Sequence, residues 1–325
     1  MKDKFNVLLV EKIDEVGVDI LRRVAKITVA SAASEDVLVE EIRDMDAVII
    51  RTVGKISAKV IESANKLKVI GRHGAGYDNV DVETATKYGI PVVYTPEANT
   101  ESVADHTIGL MIAVAKKIPQ AHLALTKNCD WFVRYKYIGT EIYGKTLGII
   151  GLGRIGRAVA RRAKGFKMKI LAYDPLISEA AAKKLGVKLV DLETLLRNSD
   201  FVSLHVPLTK ETQGLVGQKE LEMMKDGAYL INTSRGEIIN ENAVYEALVE
   251  GKLAGAAFDV YTREPPDREN PLFKLDNVVA TPHMAAHTQE ALRRMAVDVA
   301  SDVVRVLRGR KPKYIINPEV YRKQK

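Results

Sequence analysis

Residues 147–156 read Leu147-Gly148-Ile149-Ile150-Gly151-Leu152-Gly153-Arg154-Ile155-Gly156, an apolar run that ends in a glycine-rich turn. A helical pattern follows over Arg157–Lys164. Strand, turn and helix in this order are what a dinucleotide-binding fingerprint requires. Gly151 permits the tight turn, Gly153 lets the backbone approach a pyrophosphate, and Gly156 allows helix and strand to pack closely. The sequence therefore predicts a dinucleotide site at the N-terminus of this helix.

The residue at the end of the next predicted strand indicates which dinucleotide is bound. Asp174 follows the apolar run Ile170–Tyr173 and stands 18 positions after Gly156. There its carboxylate would accept hydrogen bonds from both ribose hydroxyls and would repel a 2′-phosphate. NAD is therefore predicted rather than NADP. The alternative interpretation is a glycine-rich turn beside a helix-capping aspartate.

Short apolar runs rich in β-branched residues alternate with amphipathic segments, a pattern typical of parallel α/β sheets. The first series of predicted strands is Val7–Val10, Ile27–Val29, Ala47–Ile50, Val69–Gly71 and Val92–Tyr94. The second is Leu147–Ile150, Ile170–Tyr173, Phe201–Leu204, Tyr229–Asn232, Ala256–Asp259 and Val278–Thr281. Predicted helices separate them, for example Asn242–Glu250, with Asn240 as its N-cap and Gly251 as its stop. Two longer helical patterns run over 100–117 and 289–307.

Chain length and this alternation together predict two domains, since 325 residues exceed twice the ~150 residues of a typical domain. The predicted fold class is α/β, with two doubly wound parallel-sheet (Rossmann-like) domains. The larger, NAD-binding domain (100–287) is inserted into a smaller, discontinuous substrate domain (1–99 and 288–325). The two long helical patterns would carry the chain from one domain to the other.

A net charge of +7 could indicate nucleic-acid binding, and the positions of the basic residues decide whether it does. Residues 308–325 hold seven basic side chains and one acidic one, and the rest of the chain is nearly neutral. We therefore expect no nucleic-acid partner. The basic end is interpreted as a solvated terminus, with a polyanion-binding tail as the alternative.

No membrane or secretory segment is expected. The longest uninterrupted apolar stretch, Ile108–Ala115, is far shorter than the ~20 residues that span a bilayer. The first residues, Met1–Asn6, lack the apolar core of a signal peptide. The single cysteine, Cys129, cannot form an internal disulfide. A cytoplasmic location without a membrane partner is therefore expected, and no metal site is predicted.

Seven motifs follow one another along nearly the whole chain. They are 74–81 (Gly-Ala-Gly-Tyr-Asp-Asn-Val-Asp), 139–141 (Gly-Thr-Glu) leading to 144–156, 204–209 (Leu-His-Val-Pro-Leu-Thr), 232–236 (Asn-Thr-Ser-Arg-Gly), 258–260 (Phe-Asp-Val), 264–266 (Glu-Pro-Pro) and 281–283 (Thr-Pro-His). In these motifs the chain resembles the D-2-hydroxyacid dehydrogenase family, and within it the phosphoglycerate dehydrogenases of the short type. The resemblance implies two domains with a cleft between them, NAD in the larger domain, and a homodimer formed through that domain.

Three residues match the family's catalytic positions. Arg235 would hold the substrate carboxylate or carbonyl oxygen with its planar fork. His283 would be the general acid and base, and Glu264 would be the partner that fixes its tautomer. Each lies near the end of a predicted strand, at the carboxyl edge where parallel sheets bind ligands. Each residue also has an alternative interpretation when it is taken alone. Arg235 could form an exposed ion pair, His283 could be a surface histidine or a buried one with satisfied hydrogen bonds, and Glu264 could lie in a solvated loop.

Further positions match through the same resemblance. Those expected to bind the cofactor, beside the three glycines and Asp174, are Val103, Thr107, Arg154, Ile155, Pro175, His205, Val206, Pro207, Thr212, Thr233, Ser234, Arg235, Asp259, His283, Ala285 and Ala286. Core packing is the alternative role for Val103 and Thr107. Those expected to bind substrate are Arg51, Thr52, Ala75, Gly76, Arg134 and Arg235. Arg51, Thr52 and Arg134 would bind a distal phosphate group of the substrate. The alternative is that Arg51 and Arg134 are exposed surface residues.

One segment departs from the family pattern. After Thr281-Pro282-His283 the chain reads Met284-Ala285-Ala286-His287, with Ala285 where a glycine is usual. A methyl group at this position affects how closely the nicotinamide can approach. His287 is also unusual there, and we interpret it as non-catalytic.

The resemblance implies NAD-dependent interconversion of a D-2-hydroxy acid and its 2-keto acid. The expected pair is 3-phosphoglycerate and 3-phosphohydroxypyruvate, whose interconversion belongs to serine biosynthesis. The alternative within the family is a glyoxylate or hydroxypyruvate reductase. The alternative from another class is a dinucleotide-sensing corepressor, although long disordered arms for recruiting partners are absent from the sequence. Because the chain ends soon after Asn317-Pro318, no regulatory domain is expected to follow.

Overall fold

A computed structural model describes residues 4–322, and the chain divides into two compact units. The first unit contains the described residues up to Asn99 and those from His287 onward. The second unit is Thr100–Ala286. His287 thus lies in the first unit, one residue from the predicted domain boundary.

The first unit contains a five-stranded sheet. Its strands are β1 (Phe5–Leu9), β2 (Ala25–Val29), β3 (Ala47–Ile50), β4 (Val69–Arg72) and β5 (Val92–Tyr94), and the helices between them are α1 (Glu15–Arg22), α2 (Glu35–Glu41), α3 (Ala58–Glu62) and α4 (Val82–Lys87). The strands pair in parallel in the order β2-β1-β3-β4-β5. Because the order reverses between β1 and β3, the carboxyl ends of these two strands form the switch point of this sheet.

The second unit opens with α5 (Thr100–Lys116) and α6 (Ile118–Asn128). Its strands are β6 (Thr146–Ile150), β7 (Lys169–Tyr173), β8 (Lys188–Leu189), β9 (Phe201–Leu204), β10 (Ala228–Asn232), β11 (Leu253–Phe258) and β12 (Val278–Ala280), and its further helices are α7 (Arg154–Gly165), α8 (Glu179–Lys184), α9 (Leu192–Asn198), α10 (Gln218–Met223) and α11 (Glu241–Val249). The strands pair in parallel in the order β12-β11-β10-β9-β6-β7-β8. The switch point of this larger sheet therefore lies at the carboxyl ends of β6 and β9.

Helices cover both faces of each sheet, which is why the central strands are apolar at every position. Every residue of β3 and of β9 is buried. In the first unit, α12 (Gln289–Leu307) packs along α1 and β4. A Cβ at Gly17 of α1 would lie only 2.7 Å from the backbone oxygen of Ala296, so this glycine allows the two helices to touch.

In the second unit, α5 packs against α7, β10 and β11 and buries residues such as Met111 and Val114.

Within residues 4–322, no single helix is long and apolar enough to cross a membrane. The α5–α6 pair, which is bent by 64°, passes that test by length and composition only.

The predicted fold class is confirmed, since both sheets are parallel and both are covered by helices. All eleven predicted strands are present, with small differences at their ends. The short edge strand β8 was not predicted, because two residues that remain partly exposed give no apolar run. α7 begins three residues before the predicted helical pattern, because Gly153 serves as its N-cap.

Candidate active site

The turn after β6 has a shape that requires glycine at two positions. Gly151 has a φ of +93°, and a Cβ there would lie 2.7 Å from the backbone oxygen of His205. A Cβ at Gly156 would overlap the backbone oxygen of Gly151. At Gly153 the reverse holds, because nothing beyond its chain neighbours lies within 4 Å of the Cβ position. The turn is therefore closed against the sheet but open at Gly153, where a phosphate group has room.

The helix α7 begins at this open position. Its N-cap, Gly153, has no side chain to accept hydrogen bonds from the first backbone N–H groups of the helix. These N–H groups and the helix dipole both favour an anion at this end. The turn thus supplies space and donors for a pyrophosphate, and the residues present fit a dinucleotide.

Asp174 follows β7 and lies beside the same turn. Its carboxylate oxygens accept hydrogen bonds from the backbone N–H groups of Leu152, at 2.8 Å, and Leu176, at 2.9 Å. A carboxylate offers roughly four lone-pair sites, so the side chain can still accept from ribose hydroxyls. The structure therefore adds a role that the sequence did not indicate: Asp174 fixes the glycine-rich turn from the neighbouring strand.

His205 follows β9, on the other side of the switch point. Its Nε2 lies 2.8 Å from Ser203 Oγ, and its Nδ1 is buried without a hydrogen-bond partner among the described residues. Burial lowers the pKa of His205 to about 3, so the ring is neutral at neutral pH. An unpartnered buried nitrogen at a switch point is expected where a ligand or water completes the hydrogen bonding.

The other predicted cofactor positions are divided between the core and the turns. Val103 and Thr107 of α5 are buried, and Thr107 Oγ1 lies 2.9 Å from Thr233 Oγ1. Thr212 closes the turn after β9 by donating to the backbone oxygen of Pro207, at 2.6 Å. The half-buried or exposed positions are Arg154, Ile155, Pro175, Val206, Pro207, Ser234 and Ala286.

Arg235 follows β10, on a loop built around the buried side chain of Asn232. Asn232 Oδ1 accepts from Ser234 N at 3.0 Å, and Asn232 Nδ2 donates to the backbone oxygen of Arg235 at 2.8 Å. Arg235 Nη1 also donates to the backbone oxygen of Ser234, at 2.6 Å. A Cβ at Gly236 would overlap the backbone of Tyr261. The Arg235 loop therefore packs against the loop that follows β11.

Glu264 and His283 follow the neighbouring strands β11 and β12 and are in direct contact. His283 Nδ1 lies 2.6 Å from Glu264 Oε2, while Glu264 Oε1 accepts from the backbone N–H of Tyr261 at 3.2 Å. The side chains of His283 and Glu264 are 39% and 34% exposed. Because Nδ1 is engaged by the carboxylate, Nε2 is the ring nitrogen that can exchange a proton with a bound molecule.

The segment that carries His283 is anchored by the buried carboxylate of Asp259. This carboxylate accepts from Thr281 Oγ1 at 2.6 Å and from the backbone N–H groups of Met284, at 2.9 Å, and Ala285, at 2.8 Å. His106 Nε2 lies 3.4 Å from Asp259 Oδ1. Burial opposes ionisation of Asp259, yet the hydrogen bonds from His106, Thr281 and the backbone hold its pKa below the usual value.

The same anchor explains two details of this segment. His283 has a φ of +48°, in the left-handed region that is uncommon for a residue with a Cβ. The backbone oxygen of Ala285 accepts from Ser102 Oγ at 2.7 Å, so Ala285 is buried and bonded through both its N–H and its oxygen. A strained conformation persists only where its surroundings fix it, and here Asp259 and Ser102 do so.

Four of the predicted substrate positions lie in the first unit. Arg51 and Thr52 follow β3, and Ala75 and Gly76 lie in the turn after β4. The backbone N–H of Thr52 donates to Glu11 Oε2 at 2.7 Å. Since Glu11 follows β1, Arg51 and Thr52 stand at the switch point of the smaller sheet.

Arg134, like Arg235, belongs to the second unit. It lies in the exposed 3₁₀ turn Trp131–Tyr135 of the second unit, and its guanidinium is 5.1 Å from the ring centre of Trp131 and 5.0 Å from that of Tyr135. Arg134 is therefore held by the aromatic rings of its own turn.

Three residues of this site were not singled out from the sequence: Asn232, His106 and Ser102. Asn232 stands inside a matched motif, and its position at the end of a strand was the available signal. His106 and Ser102 lie on α5 and reach residues that are 175 and 183 positions away in the chain. No local pattern indicates contacts over such a separation.

The fold and the turn after β6 define an NAD-binding protein of the doubly wound α/β class. The family model for the D-isomer specific 2-hydroxyacid dehydrogenase, NAD binding domain, matches residues 108–285. The chain therefore belongs to the D-isomer specific 2-hydroxyacid dehydrogenase family, a family of NAD-dependent enzymes.

Individual relatives agree with this assignment. The chain is 48% identical over 304 residues to the D-3-phosphoglycerate dehydrogenase of Archaeoglobus fulgidus. This alignment covers 93% of this chain and 57% of the relative. It is 42% identical to the glyoxylate reductase of Thermococcus litoralis, with 98% of each chain covered. A crystal structure of a protein from Thermus thermophilus matches with a TM-score of 0.89 and 34% identity, over 96% of this chain and 99% of the other. The chain spans between 56% and 59% of the length of three phosphoglycerate dehydrogenases that it matches.

Proposed function

We propose that the protein is an NAD-dependent D-2-hydroxyacid dehydrogenase whose substrate pair is 3-phosphoglycerate and 3-phosphohydroxypyruvate. The activity is supported above all by the 2.6 Å contact between His283 Nδ1 and Glu264 Oε2. An imidazole oriented by a carboxylate can donate a proton in one direction and accept it in the other. Arg235, which follows the adjacent strand, adds the cation that a 2-keto acid requires.

Each of the three residues has a distinct task in the proposed reaction. Arg235 binds the substrate carboxylate or carbonyl oxygen and polarises the carbonyl bond. Protonated His283 gives its Nε2 proton to the carbonyl oxygen while C2 is reduced, and it takes that proton back from the hydroxyl group in the oxidation. Glu264 holds Nδ1 and stabilises the imidazolium. Bound NAD would supply the hydride chemistry at C2, as the hydride acceptor in the oxidation and, in its reduced form, as the donor in the reduction.

The cofactor roles of the remaining residues are part of the same proposal. Gly151, Gly153, Arg154, Ile155 and Gly156 would bind the pyrophosphate, with Thr212 nearby, and Asp174 with Pro175 would bind the adenosine ribose. His205, Val206 and Pro207 would line the adenosine side. The nicotinamide end would be held by Val103, Thr107, Thr233, Ser234, Asp259, Ala285 and Ala286. The open space at Gly153 and the unpartnered Nδ1 of His205 support this arrangement.

The phosphorylated substrate is supported by the setting of Arg51. Among the described residues its guanidinium has no carboxylate partner, and Thr52 beside it offers a hydroxyl group. A guanidinium and a hydroxyl group at a sheet switch point can together bind a phosphate. Ala75 and Gly76 would offer backbone N–H groups to the substrate carboxylate.

The second candidate is a glyoxylate or hydroxypyruvate reductase. It is supported by the glyoxylate reductase of Korarchaeum cryptofilum, which at 46% identity is as similar to this chain as three phosphoglycerate dehydrogenases, at 48%, 46% and 44%, are. Glyoxylate has no distal group, so Arg51 would then have no anion to bind.

A panel of substrates tests both candidates. 3-Phosphoglycerate, D-glycerate and D-lactate are offered with NAD or NADP, and glyoxylate and hydroxypyruvate with the reduced cofactors, while absorbance of the reduced cofactor is followed. The proposal expects the highest kcat/KM for 3-phosphoglycerate with NAD. A higher value for glyoxylate identifies the second candidate, and no turnover of any acid supports a dinucleotide sensor instead.

We also propose that the protein forms a homodimer through residues 118–143. The helix α6 and the 3₁₀ turn Trp131–Tyr135 bury no residue, although they carry large apolar side chains. Leu123, Trp131, Phe132 and Tyr135 are between 53% and 69% exposed. A contiguous exposed apolar segment of this kind is typical of a surface that another chain covers.

The oligomeric state tests this surface directly. Sedimentation of the wild-type protein should give the mass of two chains, and Phe132→Asp should give the mass of one. Val249→Asp is the matched control, because Val249 is also largely exposed but lies at the end of α11. A dimer that persists in Phe132→Asp, or a wild-type monomer, would rule out this surface.

A further inference from the structure

The guanidinium of Arg51 is held by an imidazole rather than by a carboxylate. Arg51 Nη2 lies 2.7 Å from His287 Nε2. A guanidinium can only donate hydrogen bonds, so Nε2 must be the acceptor and the ring carries its proton on Nδ1. His287 therefore orients Arg51 as a neutral side chain.

The acidic side chain of Glu11 is bonded to the backbone of this turn and not to the guanidinium of Arg51. Glu11 Oε2 accepts from the backbone N–H groups of Thr52 and Val53, each at 2.7 Å. No ion pair joins a carboxylate to Arg51 anywhere in the described range 4–322. The positive charge at the switch point is thus oriented but not cancelled.

A second imidazole near Arg51 is also neutral. His73 follows β4 and is 2% exposed, and neither of its ring nitrogens has a hydrogen-bond partner among the described residues. Burial, and then the charge of Arg51, lower the pKa of His73 to about 4. Two uncharged rings near a guanidinium leave its attraction for an external anion undiminished.

We propose that His287 is a specificity-determining positioning residue that directs Arg51 toward the distal anionic group of the substrate without neutralising it. This inference rests on the proposed function, because it concerns a 2-hydroxy acid that carries a second anionic group such as a phosphate. A carboxylate at position 287 would orient Arg51 but cancel its charge, and an alanine would do neither. A glutamine retains an acceptor oxygen and no charge.

Three variants separate orientation from charge: His287→Gln, His287→Ala and His287→Glu. KM and kcat are measured for 3-phosphoglycerate and for D-glycerate with saturating NAD. For 3-phosphoglycerate we expect KM to rise roughly 10-fold or more in His287→Glu, to rise less in His287→Ala, and to stay near the wild-type value in His287→Gln. KM for D-glycerate and both kcat values should change by less than about twofold in all three.

The control for an added negative charge is Asn65→Asp, since Asn65 is exposed and lies in the same unit. It should leave both KM values unchanged. Equal losses on the two substrates in His287→Glu, or no change in any His287 variant, would overturn the role of His287.

The activity of the wild-type protein shows separately whether the proposed substrate is wrong. If the wild type does not oxidise 3-phosphoglycerate, titration calorimetry with inorganic phosphate decides the inference. Phosphate that binds the wild type and His287→Gln but not His287→Glu supports the role of His287. No phosphate binding by the wild type, or equal binding by all variants, overturns it.

Discussion

Glu264 Oε2 lies 2.6 Å from His283 Nδ1, although the two residues are 19 positions apart in the chain. They meet because they follow β11 and β12, which are paired in parallel and therefore end at the same edge of the sheet. Asp259 strengthens this arrangement, since it follows β11 and bonds the backbone that carries His283. One strand pair thus positions the imidazole, its carboxylate partner and the anchor of its loop.

Replacing His283 by asparagine should remove most of the turnover and leave NAD binding largely intact. The imidazole acts on the substrate proton, and its loss should lower kcat by roughly 10²–10⁴-fold. Steady-state rates and calorimetric titration with NAD measure the two effects. Glu264→Gln, which keeps His283 but removes the negative charge, should lower kcat less. A nearly wild-type rate in His283→Asn would show that another residue is the acid.

Asp174→Ala should narrow the preference for NAD over NADP, because the carboxylate that repels a 2′-phosphate is gone. The ratio of kcat/KM for the two cofactors measures this. Asp174 also accepts from Leu152 N, so Asp174→Asn is the matched variant: it loses the charge but keeps an acceptor for the turn. The ratio should fall in both variants. An unchanged ratio would exclude Asp174 from the ribose site.

Arg51→Ala should raise KM for 3-phosphoglycerate strongly and leave activity on D-glycerate nearly unchanged. Charge-assisted hydrogen bonds of about 1.5–3 kcal/mol correspond to roughly 10- to 150-fold in kcat/KM. Arg23→Ala, an exposed arginine of the same unit, is the control. Equal losses on both acids would place Arg51 in carboxylate binding or folding, and would favour the glyoxylate or hydroxypyruvate reductase.

Asp259→Ala should destabilise the protein by about 2–5 kcal/mol, because Thr281 and the backbone N–H groups of Met284 and Ala285 lose their acceptor. Urea unfolding measures the free energy. Asp259→Asn keeps one acceptor oxygen and should lie between the alanine variant and the wild type. We expect kcat to fall in both variants, since the loop of His283 loosens. A stability equal to that of the wild type would contradict the anchoring role.

The stability of the protein should fall as the pH is lowered from about 6.5 to about 4. His73 has a pKa of about 4 in the folded protein, well below the ~6.5 of an unfolded chain. Within that window the unfolded chain binds a proton that the folded chain does not, so unfolding becomes easier as the pH falls. The full loss from His73 is about 3 kcal/mol.

The burial of His205 acts in the same direction, since it lowers the pKa of that ring to about 3. Urea midpoints at pH 7.5 and pH 5 measure the change. His73→Gln should show a smaller difference between the two pH values than the wild type does. An equal difference would mean that His73 is not the group responsible.

The sequence alone determined the βα alternation and the place of the dinucleotide turn. Gly151 and Gly156 can be recognised locally, because tight turns and close backbone contacts tolerate no side chain, and Gly153 leaves the turn open to a phosphate group. The eleven predicted strands are recognisable because strands buried on both faces are apolar throughout. The family motifs that contain Arg235, Glu264 and His283 follow such apolar runs, so the sequence also placed these three residues after the ends of strands.

The tertiary structure decided which of these strand ends meet. The contacts of Glu264 with His283, of Asp259 with Ala285 and of Arg51 with His287 join residues 19, 26 and 236 positions apart. Strand order and parallel register bring the first two of these pairs to one edge of the larger sheet, and neither is encoded by the local pattern around any single residue. The sequence therefore showed which residues stand at the ends of strands, and only the folded sheets gave those residues their hydrogen-bond partners.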